Sequence, residues 1–257
     1  MYIFAIMSLI IHNNMTLKNM QKNKQKLSFE KIGPMKLPSR IAGGTLDLHL
    51  YTFKSGNNYF TLKRGNITGK GKVLFRINSN CVWADIFGSA RCDCAEQLHE
   101  AMRRIVKDGE GLMIHAYNQD GRGLSLKDHV RVYMEQDKGY DTIEADRRCG
   151  FKNPDRRNYN EIIQILKDFK IKGVRMLTNN PHKISSIAEA GIKVEEIIPI
   201  EAVKIDKYNI GQLYMKKKTL DHDFYSFDLE DPKIKKLFKE SLKKWSHGEY
   251  DSYMWTC

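Results

Sequence analysis

Cys81, Cys92 and Cys94 lie in one short stretch, the last two separated only by Asp93. Three thiolates are good zinc ligands, and their number says which kind of site they would make. Structural zinc usually has four protein ligands, whereas catalytic zinc keeps one position open for water. The other cysteines, Cys149 and Cys257, form no Cys-x-x-Cys or Cys/His pair with this cluster. The stretch is therefore either a set of free thiols or a metal site with an open position. In the second case zinc would make a water molecule a usable nucleophile near neutral pH.

The elements that must position these cysteines can be read from residue periodicity. Residues 46–53 and 58–63 alternate like strands around a turn at 54–57, and residues 72–77 form a strand that delivers the chain to Cys81. After Cys94 the period changes. Leu98, Met102, Ile105 and Val106 recur at helical spacing, and Asp108-Gly109 stops the helix. A buried strand over 111–117, a helix over 126–138 and a helix through Ile162, Ile163, Ile165, Leu166 and Phe169 follow. Strand 174–177, helix 182–190 and strand 194–199 complete an alternation, and an amphipathic helix is expected through Ile234–Trp245. The rhythm predicts an α/β (α+β) fold: a mixed sheet flanked by helices, with a β-rich first part.

A chain of 257 residues with an odd number of cysteines, three of them crowded, does not read as a disulfide framework. A reduced, cytoplasmic setting fits better. The net charge of +12 favours anionic partners. Basic residues are scattered, and no nucleic-acid-binding motif occurs, so neither nucleic acid nor membrane is expected as a partner. The apolar run over residues 1–11 is too short to span a bilayer and has no basic flank before it, and Met15 and Met20 offer internal starts. The expected organisation is a leader or linker at 1–33, a catalytic domain at 34–202 and a partly helical extension at 203–257.

Three further segments could carry chemistry. Asn118–Leu126 lies between a strand and a helix and sets Arg122 between Gly121 and Gly123, a turn suited to an anion. Cys149–Tyr159 holds Asp155 beside Arg156 and Arg157, which is either a helix cap with surface charge or a site. Leu177–Lys183 ends a strand, where open α/β sheets place ligands.

In order and spacing these segments resemble the GTP cyclohydrolase II family, over roughly residues 35–202. Cys81 and Cys92-Asp93-Cys94 match its zinc triad, flanked by Arg91 and Gln97. Gln119–Leu124, Arg131-Val132-Tyr133, Gln136-Asp137, Gly139–Thr142 and Leu177–Lys183 follow in the family's order.

The resemblance implies zinc-dependent hydrolysis of GTP, the first step of riboflavin biosynthesis. The guanine imidazole ring opens with release of formate and diphosphate. Cys81, Cys92 and Cys94 would hold one zinc per subunit. Tyr133 would help water attack the ring, Arg157 would attack the α-phosphorus, and Asp155 would accept a proton nearby. Arg76, Ile77, Asn78, Ser79, Asn80, Gln97, Asp120, Gly121, Arg122, Thr142, Thr178 and Lys183 would contact the nucleotide, with magnesium on its phosphates. A homodimer is expected.

The chain departs from the family where Asn78-Ser79-Asn80 replaces His-Ser-Glu, where Asp120 replaces a glutamate, where Ser125 replaces a glycine, and at Lys127–Val130. Two other readings stay open: a paralogue acting on a related purine nucleotide, and a nucleotide-binding relative with structural zinc and no turnover.

Overall fold

The run Val73-Leu74-Phe75-Arg76-Ile77-Asn78 has no exposed position, as a strand covered on both faces requires. In a computed structural model describing residues 28–153, 155–201 and 205–243, it forms β4 (Val73–Ser79), an interior strand of a seven-stranded sheet. The other strands are β1 (Phe29–Ser39), β2 (Gly44–Phe53), β3 (Asn58–Arg64), β5 (Gly111–Ala116), β6 (Gly173–Leu177) and β7 (Lys193–Ile198), in the order β1-β2-β3-β5-β4-β6-β7. β1, β2, β3 and β5 pair antiparallel, whereas β5, β4, β6 and β7 pair parallel. The predicted mixed sheet with a β-rich first part is thus present.

The helices among the described residues are α1 (Val82–Asp85), α2 (Cys94–Asp108), α3 (Leu126–Asp137), α4 (Thr142–Arg148), α5 (Asn160–Asp168), α6 (Pro181–Glu189), α7 (Ile210–Thr219) and α8 (Pro232–Ser241). One face of the sheet packs Phe75, Ile77, Leu112 and Ile114 against Ile162, Ile165 and Leu166 of α5 and Ile187 of α6. The other packs Leu46, Leu74 and Met113 against Ala101, Met102 and Ile105 of α2. This two-faced burial fixes the parallel strands rigidly. Their C-terminal ends then present three neighbouring loops, after Ser79, Ala116 and Leu177.

Several elements differ from the sequence reading. The folded part starts before residue 34, because β1 begins at Phe29 and pairs with β2 from Phe29↔Phe53 onward. It is an edge strand exposed on both faces, so it carries no alternation to read. Helices α1, α4 and α7 were not expected. The last helix runs over Pro232–Ser241 rather than to Trp245, which lies outside the described residues, as do residues 1–27 and Cys257. No helix among the described residues is long and apolar enough to cross a membrane.

Phe75 is fully buried at the centre of the main core. Phe75→Ala is expected to cost about 3–5 kcal/mol of stability by removing apolar contacts and leaving a cavity. Denaturant unfolding measures that loss.

Candidate functional site

Three consecutive turns of local structure bring the cysteines together. β4 ends at Ser79 and Cys81 becomes the N-cap of α1, its N–H donating to Asp85 Oδ2 at 3.0 Å. The chain then loops back so that Cys92 and Asp93 precede α2, whose first residue is Cys94. The three Sγ atoms lie within 4.8 Å of one another, with Cys81 and Cys92 at 3.7 Å. A tetrahedron with zinc–sulfur bonds of about 2.3 Å separates its sulfurs by roughly 3.8 Å, so the set fits zinc. Tyr133 Oη, Trp83 Nε1 and Asp85 Oδ1 are buried around this cluster with no hydrogen-bond partner among the described residues. Burial pushes the Tyr133 phenol well above its ordinary pKa, and the charge of the thiols adds to the shift. The Asp85 carboxyl is likewise raised, to about 7, chiefly by burial.

Cys81, Cys94 and Tyr133 line one wall of a cleft of about 890 Å³, counting the part open to solvent. Other walls carry Arg76, Arg122, Arg157 and Lys183. The Leu177–Lys183 segment explains how Lys183 gets there. Asn180 caps α6 by accepting from His182 N (2.8 Å) and Lys183 N (3.3 Å), and Pro181 fits the first helical position. The side chain of Lys183 then turns back to β4, where Nζ donates to Ile77 O at 2.8 Å. Burial, reinforced by Arg76 and Arg157, holds this amine well below its ordinary pKa.

Arg76 donates to Leu177 O (2.9 Å) and Gln97 Oε1 (2.7 Å), and burial lowers its pKa to about 10. Arg157 is held by Asp155, Nε to Oδ1 at 2.8 Å, with a second bond from Nη2 to Oδ2. Burial opposes both charges, but the pairing wins. Asp155 sits well below the carboxylate range and Arg157 above its ordinary value. Arg122 is buried against Asp146 of α4.

Of the residues predicted to touch a ligand, Arg76, Asn78, Ser79, Gln97, Gly121, Arg122, Tyr133, Arg157, Thr178 and Lys183 line the cleft beside Cys81 and Cys94. Others stand behind it. The Ile77 side chain is in the core, and only its carbonyl serves Lys183. Cys92 completes the thiol cluster from a buried position, and Asp155 backs Arg157. Thr142 is the first residue of α4, after its cap Asp141, and lines a separate small cavity with Arg91 and Tyr140.

Asn80 and Asp120 form a buried cluster with a residue the sequence reading did not single out, His129. Asp120 Oδ1 accepts from Val82 N (3.0 Å) and Asn80 Nδ2 (3.3 Å), and His129 Nδ1 donates to Asp120 Oδ2 at 2.5 Å. His129 lines the cleft and stands edge-on to Tyr133, with ring centroids 4.7 Å apart. Three departures from the family pattern are thus one hydrogen-bonded unit. Ser125 is explained as well: its Oγ caps α3 by accepting from Asp128 N. Asn179 and Asn180, within the Leu177–Lys183 segment singled out above, also line the cleft, and so do Gln212, Lys216 and His222, which were not predicted.

A mixed-sheet protein with three clustered thiols able to hold a metal at the ends of its parallel strands, facing a basic cleft, is the class this geometry defines. The sequence pattern of GTP cyclohydrolase II matches residues 30–199. The GTP cyclohydrolase-2 of Shewanella pealeana is 34% identical over 213 residues, covering 82% of this chain and 100% of that protein. The GTP cyclohydrolase-2 of Actinobacillus succinogenes is 40% identical over 191 residues, covering 71% and 87%. The riboflavin biosynthesis protein RibBA of Aquifex aeolicus is 36% identical over 196 residues, covering 76% of this chain and 47% of that one. The chain belongs to the GTP cyclohydrolase II family. It spans about half the length of the RibBA proteins it matches.

Gly123 ties the Arg122 loop to the Arg157 turn. Its φ is +84°, and a Cβ there would lie 2.9 Å from Arg156 C and 3.0 Å from Arg157 N. Gly123→Ala is expected to cost about 1–3 kcal/mol through backbone strain and to leave metal content unchanged. Unfolding and metal analysis check the two halves of that expectation.

Proposed function

We propose that this protein hydrolyses GTP with zinc, opening the imidazole ring of guanine and releasing formate and diphosphate, as the first step of riboflavin biosynthesis. The observation that carries the reading is the placement of the Cys81–Cys92–Cys94 cluster on the same cleft as Tyr133, Arg157 and Lys183. Zinc held by the three thiolates would supply Lewis acidity and an activated water nucleophile. The chain's own residues do the rest. Tyr133 faces the cleft with a phenol kept protonated, so its O–H is a donor able to deliver a proton to a ring nitrogen.

Arg157 is oriented by two bonds that it donates to Asp155; held protonated there, it would stabilise charge on the phosphorus being cleaved and on the departing diphosphate rather than attack the phosphorus itself. Asp155, held ionised by that pairing, serves as the anchor of Arg157. Lys183, Arg76 and Arg122 add charge for the phosphates, together with magnesium. The thiol cluster suits a reducing compartment, and the cytoplasm is the proposed location.

The Asn80–Asp120–His129 unit favours a second reading, a related purine nucleotide in place of GTP, because it sets the position of His129 on the cleft wall. A homodimer is also proposed. Leu126, Val130 and Met134 form an exposed apolar stripe on α3, and the neighbouring loop exposes Ile86 and Phe87. Trp83 joins the two surfaces by stacking on Phe87 and contacting His129. A second copy of this chain is the occupant that would bury this patch.

Incubation with GTP and magnesium, with formate and diphosphate followed separately, tests the reaction. Tyr133→Phe is expected to slow formate release by at least about a hundredfold while diphosphate still appears. Arg157→Ala is expected to stop diphosphate release. Equal loss of both products in Tyr133→Phe would make that residue structural, and an unchanged diphosphate rate in Arg157→Ala would remove Arg157 from the reaction. Light scattering is expected to give twice the monomer mass, and Val130→Lys is expected to return the monomer.

A further inference from the structure

The family match ends at residue 199, yet part of the cleft wall comes from beyond it: Gln212, Lys216, Leu220 and His222. These residues belong to a segment with a core of its own. Ile210, Leu213, Tyr214 and Met215 of α7 pack with Ile143 of α4 and with Phe224 and Phe227. The segment is pinned to the α6 loop at the cleft: Asp223 N donates to Asn179 O (3.0 Å), and Asn179 Nδ2 donates to Asp223 O (2.7 Å). Glu201 accepts from Tyr225 N and Ser226 N.

The lysines of α7 divide by direction. Lys217 Nζ closes the segment on itself by donating to the carbonyls of Phe224 and Phe227, whereas Lys218 is exposed. Lys216 enters the cleft. Its Nζ lies 3.2 Å from Asp93 Oδ1, with the two side chains 14% and 0% exposed. Asp93 also accepts from Gln97, which in turn accepts from Arg76, so Lys216 is tied through one hydrogen-bonded chain to the opposite cationic wall. His222 stands among Lys216, Arg157 and Lys183; burial and these three cations keep its imidazole uncharged.

Around one cavity, Arg76, Arg157 and Lys216 are thus buried as cations beside the Lys183 amine, with only Asp93 and Asp155 paired against them in the contacts described. Desolvated positive charge in such excess is compensated when a multiply charged anion enters. Lys216 adds a cation from α7 near Lys183, and His222 adds an imidazole N–H close to both.

We propose that residues 205–229 form the closing wall of the nucleotide cleft, and that Lys216 and His222 contact the polyphosphate of the substrate. The inference rests on the nucleotide reading above.

The test is titration calorimetry of the full-length, zinc-loaded protein with a GTP analogue carrying a methylene group between the α and β phosphorus atoms. Lys216→Met and His222→Ala are each expected to weaken binding roughly tenfold or more, while Lys216→Arg recovers part of the loss. Lys218→Ala is expected to bind as the wild type does. Metal content and thermal unfolding are expected to be unchanged in His222→Ala. If His222→Ala and Lys216→Met bind the analogue normally, the proposal is overturned. It is also overturned if Lys216→Met loses affinity only together with its metal while His222→Ala binds normally, since Lys216 then serves the cysteine loop alone. A wild-type protein that does not bind the analogue would sink the nucleotide reading itself, and this proposal with it.

Discussion

Three sulfur atoms within 4.8 Å cannot all carry charge unless a cation holds them. Two thiolates about 4 Å apart repel by roughly 4 kcal/mol even at an effective dielectric of about 20. Without a cation, Cys81 is pushed above the ordinary thiol range, against a lowering contact from Cys92, by Cys94 and burial, and Cys92 is pushed up by Cys81, Cys94 and burial. Cys94 alone is favoured as thiolate, by its contacts with the other two. The fold nevertheless spends its most rigid feature, the end of a fully buried central strand and the first turn of α2, on forcing these groups together. That arrangement makes physical sense around a divalent ion.

The same constraint organises the cleft. A zinc bound by three thiolates would carry a net negative charge, and the residues next to the cluster offer positive charge: Lys216 on Asp93, and Arg76 through Gln97. Farther along, Arg157 and Lys183 face the same space, and Asp155 is the carboxylate paired with Arg157 there. The gradient runs from a thiolate end to a cationic end. A purine nucleotide has the complementary polarity, with a neutral base to bring to the metal and a polyanion to bring to the guanidinium groups.

Much of this was legible in the sequence, for identifiable reasons. β4 and β5 are covered on both faces and therefore read as apolar runs, and α2 buries a regular stripe. The helix that follows Asn180-Pro181 was read to within a residue, because local chemistry marks its start. Elements without a one-sided pattern were missed. β1 is exposed on both faces, and α7 follows its four buried residues with three consecutive lysines.

The chemistry divided in the same way. The cysteine triad is close in sequence and could be found, whereas the Lys216–Asp93 pair joins residues 123 positions apart, which no local pattern encodes. Asp120 and His129 were visible only as isolated departures, and the structure shows them bonded to each other. Thr142, expected to contact the nucleotide, is the first residue of a helix and lines a smaller cavity that shares Gln136 and Gln212 with the cleft.

The central claim is that the cysteines form an open, three-thiolate metal site. X-ray absorption at the zinc edge of the purified protein tests it directly. The account predicts one zinc per chain with three sulfur neighbours at about 2.3 Å and a lighter fourth neighbour, and loss of the metal in Cys92→Ser. Four sulfur neighbours, or full zinc content in Cys92→Ser, would contradict it.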